Sequence, residues 1–213
     1  MEAVIISGGR IIEDSLIKQL GKHKKDLLIC ADSGANILYN NNIIPDVLIG
    51  DFDSISIEAY KAFEKKAVKI LKYPEHKDLT DTHIALNYAI QNKAEKITIF
   101  GATGTRLDHT LANIFLLEDY MDRAECTLID DNNIITIKKA GTHKIYANQE
   151  FKYISLIPLS DQAKAVTTKG FKYPLHEACL KRADSFGISN ELLQKQGEIV
   201  FESGCIAVIY SRD

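Results

Sequence analysis

The stretch Val47-Leu48-Ile49-Gly50-Asp51-Phe52-Asp53-Ser54 decides the fold class. Three continuously apolar residues run into a glycine and two acids. That is the pattern of a strand covered on both faces and ending at a polar edge. The pattern recurs outward in both directions. Val4–Ser7, Leu27–Cys30, Val68–Leu71 and Ile97–Phe100 are similar short runs, and Cys126–Ile129 is a sixth that completes or leaves the sheet. Between them, Glu13–Leu20, Ala35–Tyr39, Glu58–Lys66, Thr82–Gln91 and Leu107–Glu118 carry helical patterns. In the fourth, Ile84, Ala85, Tyr88 and Ala89 share one broad face. Strand and helix in alternation predict an α/β fold, a doubly wound, mostly parallel sheet.

After about Asp130 the period changes to two. Ile134–Ile137, His143–Ala147, Tyr153–Ile157, Ala163–Thr168, Glu198–Phe201 and Cys205–Tyr210 alternate, separated by turn signals such as Lys139–Thr142 and Ser203–Gly204. This predicts a small all-β sandwich domain following the α/β domain. We expect residues 1–128 to form the α/β domain and residues 129–213 a second, β-sandwich domain.

The chain has 213 residues, 46% apolar and 26% charged, with a formal net charge of −3. Such a length buries a core without metal or disulfide staples. Lys and Arg do not cluster beyond Lys22–Lys25, which argues against a nucleic-acid partner. No apolar run reaches the length of a membrane span, and the opening MEAVIISGGR lacks the features of a signal peptide. Cys30, Cys126, Cys179 and Cys205 stand singly, as expected of reduced thiols in a cytoplasmic protein.

Ligands of open α/β sheets bind outside the carboxyl ends of the strands. The segments leaving the predicted strands are Gly8-Gly9-Arg10, Asp32-Ser33-Gly34-Ala35-Asn36, Gly50-Asp51-Phe52-Asp53, Glu75-His76-Lys77-Asp78-Leu79-Thr80-Asp81, and Gly101-Ala102-Thr103-Gly104-Thr105-Arg106-Leu107-Asp108. βα turns favour such residues anyway, but all five junctions carrying them predicts one edge lined with backbone amides and carboxylates. Asp51 and Asp53, two apart in an extended segment, have bases about 6.5–7 Å apart on one side. They repel each other unless a cation intervenes, and oxygen-only ligands suit Mg²⁺. Asp78 and Asp81 reach the same edge, with helix capping and dipole complementarity as their alternative uses. A metal carrying polyphosphate resolves this excess of charge. The Gly101–Asp108 loop opens a helix, offering free N–H groups to an anion, and Arg106 adds a bidentate phosphate donor. Asp108 is read either as a cap or as a ligand to a sugar hydroxyl or substrate. Lys77 either reaches phosphate or is solvated. His109 is left open between structure and function. Neither a P-loop nor a dinucleotide fingerprint is present.

ADSGAN at 31–36, PDVLIGDFDSI at 45–55, KDLTDTHIAL at 77–86 and GATGTRLDHTLANI at 101–114 resemble the thiamine pyrophosphokinase family, as do TTKGFKYPL at 167–175 and GISNE at 187–191. The resemblance implies transfer of a diphosphoryl group from ATP to the hydroxyl of thiamine, with Mg²⁺, in a homodimer whose sites lie at the subunit interface. It implies metal on Asp51, Asp53 and Asp81, with Asp53, Asp78, Asp81 and Arg106 in catalysis. The ATP-binding residues are then Gly8, Asp32, Gly34, Asn36, Lys77, Gly101, Thr103, Arg106, Asp108 and Asn113. Thiamine falls to Asp108, Ser189 and Asn190, the last two on the second domain's loop. Ser33 and Thr105 stand where the family usually has glycine. The implied mechanism is in-line attack of the alcohol on the β-phosphorus, with Asp81 or Asp78 as base.

One rival is an aspartate-nucleophile phosphatase, with Asp51 as nucleophile, Asp53 as acid/base and Asp130-Asp131 as a later acidic pair. It leaves Arg106-Leu107-Asp108 and the 187–191 segment without a role, and its acids belong on a first strand. A second rival is a non-catalytic nucleotide or thiamine sensor, which does not need so many carboxylates.

Overall fold

The computed structural model describes residues 1–23, 25–76 and 78–213. The chain divides into two compact units, one of Met1–Leu116 with Asp122–Asp131, the other of Leu117–Met121 with Asn132–Asp213.

In the first unit six strands lie in the order β6-β5-β1-β2-β3-β4. They are β1 (Glu2–Ile6), β2 (Leu27–Ala31), β3 (Val47–Gly50), β4 (Lys69–Lys72), β5 (Lys96–Phe100) and β6 (Glu125–Ile129). All are parallel within this unit. Between them run α1 (Glu13–Lys22), α2 (Gly34–Asn40), α3 (Ile57–Lys65), α4 (Asp81–Gln91) and α5 (Leu107–Tyr120). The apolar runs are buried as their continuity predicts: Val4, Ile5, Ile6, Ile29, Leu48, Ile49, Ile99 and Phe100 are almost wholly covered. Each such side chain contributes about 1.5–3 kcal/mol relative to exposure. β4 ends this order and is only half-buried, with Lys69 and Lys72 exposed, which blunts further pairing.

Helix boundaries follow local chemistry. Ser56 caps α3 by accepting from Ala59 N–H at 3.2 Å, and Thr80 caps α4 by accepting from His83 N–H at 3.2 Å. The strand order reverses at β1, whose neighbours are β2 on one side and β5 on the other. The loops leaving β1 and β5 therefore flank the crevice where such sheets bind ligands.

The second unit is antiparallel: β7 (Asn133–Tyr146), β8 (Tyr153–Pro158), β9 (Gln162–Lys169), β10 (Ala178–Lys181) and β11 (Gln196–Ser211). β11 pairs with β7, β8 and β9, and β10 pairs with β9. Its core gathers Ile145, Leu156, Val166, Phe171, Leu180, Ile199, Phe201 and Val208. An α/β unit followed by a β unit is the architecture expected from the change of period.

Two expected turns are not turns. Lys139–Thr142 lies inside β7, and Ser203–Gly204 lies inside β11. The β7–β11 register shifts between Phe201 and Cys205, so the glycine marks a bulge in one long ribbon. Gly204 sits at φ +97 there. The short strand β10 has no counterpart among the strands expected from the sequence.

Candidate active site

The carboxyl ends of β1 to β5 surround a cavity of about 690 Å³ in the first unit. Ser7, Gly8, Gly9, Asp32, Asp51, Asp78, Asp81, Gly101, Thr103, Arg106, His109 and Asn113 are among its lining residues.

One wall is acidic. Asp32, Asp51 and Asp53 bring carboxylate oxygens within 4.8 Å of one another. Asp32 follows β2 at φ +49, and its N–H donates to Ile49 O at 2.9 Å. This ties it to β3, from which Asp51 and Asp53 follow. Asp51 Oδ1 accepts from Asp53 N–H at 3.1 Å, folding the pair into a tight turn with Phe52 at φ +70. One oxygen of Asp32 accepts from the Ser54 hydroxyl, and Oδ1 is buried without a hydrogen-bond partner among the described residues. Three anions this close disfavour one another. An all-oxygen set with an orphaned buried acceptor fits a hard divalent cation.

The expected metal trio is Asp51, Asp53 and Asp81. The close trio among the described residues has Asp32 in place of Asp81, because β2 and β3 are neighbours with Ala31 opposite Ile49. Asp81, the first residue of α4, and Asp78 line the same cavity. The capping alternative for Asp78 falls away, since Thr80 caps α4.

Another part of the lining is backbone. Gly9 N–H donates to Gly101 O at 2.6 Å and Arg10 N–H to Thr103 O at 2.8 Å, zipping the β1 and β5 loops together. A Cβ on Gly9 would lie 2.3 Å from both carbonyl oxygens, and Gly101 holds φ +66 with no room for a Cβ beside Ser7 O. Below the loop, Asn113, 8% exposed, donates through Nδ2 to Ala102 O at 2.7 Å. Thr103 donates to Asp130 Oδ2 at 2.8 Å, and both oxygens of Asp131 accept from Ile12 N–H at 3.0–3.2 Å. The Asp130-Asp131 pair thus anchors a loop and a helix start.

Arg106 and Asp108 form a two-pronged ion pair at 2.6 and 3.2 Å, with side chains 70% and 65% exposed. The Arg106 hydrogen bonds hold the Asp108 carboxyl down at about 2, and the same contact raises the Arg106 guanidinium. Arg106 O accepts from Thr110 N–H at 3.1 Å, so Asp108 lies within the first turn of α5 rather than capping it.

Several expected nucleotide residues act as scaffold. Gly34 opens α2 close against β1, where a Cβ would meet Ile6 O at 2.8 Å. Asn36 donates to Ser54 O at 3.1 Å and accepts from Ser56 N–H at 2.8 Å. Lys77 lies outside the described residues. The sequence reading missed a buried hydroxyl pair in the cavity lining, Ser7 Oγ to Thr82 Oγ1 at 3.0 Å, as well as Ser54. Ser7 ends a predicted strand, Ser54 follows one and Thr82 opens a predicted helix, and the sequence offers no further signal for them.

In the second unit, Ser189 sits at φ +53 with its N–H on Ser155 Oγ at 3.0 Å. Asn190 is 5% exposed. Its amide oxygen accepts from Tyr173 N–H at 3.0 Å and Glu191 N–H at 2.9 Å, and Nδ2 donates to Tyr173 O at 2.7 Å. That amide holds two backbone segments together.

Residues 18–129 match the description of the thiamin pyrophosphokinase catalytic domain, and residues 142–206 that of the thiamin pyrophosphokinase vitamin B1 binding domain. The chain belongs to the thiamine pyrophosphokinase family. Among relatives of the family, thiamine pyrophosphokinase from Bacillus subtilis is 36% identical over 212 residues, 98% of each chain. A crystal structure of the B. subtilis protein superposes with a TM-score of 0.90 at 34% identity, covering both chains fully. One from Geobacillus thermodenitrificans gives 0.87 at 32% identity, covering 100% of this chain and 98% of that one. The chain is therefore a thiamine pyrophosphokinase-type transferase, and the phosphatase reading has no support. Among the described residues no helix is long and apolar enough to cross a membrane.

Proposed function

We propose that the chain transfers the diphosphoryl group of ATP to the hydroxyl of thiamine, giving thiamine diphosphate and AMP, with Mg²⁺ as its metal. The observation that carries this reading is that one cavity is lined by two unlike groups of residues. Asp32 and Asp51, whose oxygens cluster with those of Asp53, suit a cation, and the glycine-bearing β1 and β5 loops suit a polyphosphate chain.

Asp32, Asp51 and Asp53 would hold the ion. When bound there, it supplies neutralisation of charge on phosphate oxygens. The glycine loops bring backbone close to the phosphates, and Arg106 exchanges its Asp108 partner for phosphate oxygens. The thiamine hydroxyl oxygen forms a bond to the β-phosphorus as the bond from that phosphorus to the α–β bridging oxygen breaks, and AMP leaves. Asp81 or Asp78, at the start of α4, accepts the alcohol proton on a carboxylate oxygen. The protein contributes mainly position and electrostatics, as phosphoryl-type transfer requires.

Thiamine is assigned to Ser189 and the loop fixed by Asn190 in the second unit, contributed by the partner in a homodimer. Exposed Tyr146, Tyr173, Phe186, Ile188 and Leu193 on that unit support a covered surface. A reducing cytoplasm suits the four free thiols.

The test is chromatography of the products after mixing purified protein, ATP, Mg²⁺ and thiamine. AMP and thiamine diphosphate should appear in equal amounts and only when all components are present. Phosphate released without thiamine, or nucleotide bound with no AMP formed, overturns the reading.

A further inference from the structure

We propose that Ser54 is a positioning residue for the acidic wall: its hydroxyl holds Asp32 in the one arrangement that leaves a carboxylate oxygen for the cation. The inference rests on the metal reading of that wall and adds a residue to which that reading gives no role.

Asp32 and the Asp51–Asp53 turn leave different strands, so their convergence needs a cross-link. Backbone supplies only part of it, through Asp32 N–H on Ile49 O at 2.9 Å. Beyond that point the β3–α3 segment leaves the strand and runs to the start of α3. Its fixed points come instead from α2 and the β2 loop. The Asn36 amide grips the segment at two places, donating to Ser54 O at 3.1 Å and accepting from Ser56 N–H at 2.8 Å. Ser56 is in turn the cap of α3. With its backbone held this way, Ser54 points its hydroxyl back at Asp32 and donates to Oδ2. That bond occupies one oxygen, and Oδ1 stays buried without a partner among the described residues.

A carboxylate that is free to rotate offers a cation either oxygen and must be ordered when the ion binds. Ser54 performs that ordering in advance. It also takes up part of the negative charge of a three-acid cluster while no ion is there. Hydrogen-bonding partners of ligating groups typically govern metal affinity by about 10–100-fold. The left-handed backbone at Asp32 and Phe52, φ +49 and +70, shows that this arrangement is imposed by its surroundings and is not the local preference of those residues.

The test titrates Mn²⁺ into full-length parent, Ser54→Ala, Ser54→Thr and Asp51→Asn proteins, reading free Mn²⁺ by electron paramagnetic resonance. Thermal unfolding of each variant is recorded alongside. Ser54→Ala should unfold as cooperatively as the parent and bind Mn²⁺ about 10–100-fold more weakly, and Ser54→Thr should restore the affinity. In turnover assays the Mg²⁺ concentration for half-maximal rate should rise in Ser54→Ala, with the rate recovering at saturating Mg²⁺. Parent-like Mn²⁺ affinity in Ser54→Ala, with binding lost in Asp51→Asn, overturns the role of Ser54 and leaves the metal site standing. Mn²⁺ binding that Asp51→Asn does not weaken overturns the metal site, and the role of Ser54 with it. Weakened binding that Ser54→Thr fails to rescue also refutes the hydroxyl's role.

Discussion

Replacing Gly9 by alanine isolates the contact that joins the β1 and β5 loops. Gly9 has no positive φ, so alanine brings no backbone strain of its own, and the whole effect is steric. The new Cβ would stand 2.3 Å from Gly101 O and 2.3 Å from Thr103 O, both fixed backbone atoms. Comfortable carbon–oxygen contacts begin near ~3.3 Å, so the loops must part by about 1 Å. That opening carries the 2.6 Å and 2.8 Å bonds from Gly9 and Arg10 beyond hydrogen-bonding reach. Two bonds at about 1 kcal/mol each give a loss of about 2 kcal/mol. For a chain of this length the melting temperature should drop by about 4–8 °C. If these loops hold phosphate as proposed, a displacement of about 1 Å also costs up to about 100-fold in kcat/KM. Differential scanning calorimetry and AMP formation across a range of ATP concentrations read the two effects. Gly21→Ala in α1, where a Cβ meets nothing within 4 Å, is the control and should stabilise by roughly 0.5–1 kcal/mol. If Gly9→Ala melts with the parent and keeps its ATP dependence, the two loops are not locked as described.

Asn190→Ala removes three hydrogen bonds in the second unit and should cost about 3 kcal/mol; a raised thiamine KM with unchanged melting would instead mean that the amide touches substrate. Ellman's reagent should label Cys179 quickly in the native protein, while burial, which pushes the Cys126 and Cys205 thiols up to about 12, keeps those two and Cys30 slow until denaturation. Rapid loss of more than one thiol would contradict that burial. The Asp108 carboxyl, held at about 2 by Arg106, favours the folded state above its ordinary range, and that contribution is lost as pH falls through about 2. Carbon NMR should find its midpoint there in the parent and raised in Arg106→Ala, where the His109 N–H still holds it somewhat down; an unchanged midpoint refutes the pairing.

What was legible in the sequence was whatever is encoded locally. Val47–Ile49 and its companion runs announced buried parallel strands because both faces are covered, and the glycines after β1 and β5 announced an edge lined with backbone. Asp51 and Asp53 were legible as neighbours because they are two residues apart, but the extended segment expected to carry them is a turn, with Phe52 at φ +70 and Asp53 N–H on Asp51 Oδ1. Asp32 was not legible as their partner, since its nearness depends on β2 lying beside β3 in one particular register. The fused ribbon of β7 and β11 was hidden because a glycine in a bulge and a glycine in a turn look alike in one dimension. The resemblance gave Asn190 a thiamine role, while its hold on the backbone of Tyr173, 17 residues earlier, was not legible because it depends on how the loop folds.

The position of β11 in the second unit has a consequence for biosynthesis. This strand is the hub of its sheet, bonded to β7, β8 and β9, yet it is the last of the five to leave the ribosome. The first unit has all six of its strands in place once Asp131 has emerged and is free to fold during translation. The second must wait, its apolar faces uncovered, for Gln196–Ser211. A stalled or prematurely stopped ribosome would therefore release a formed α/β unit tethered to an unfinished β unit, a species that chaperones and proteases are equipped to recognise.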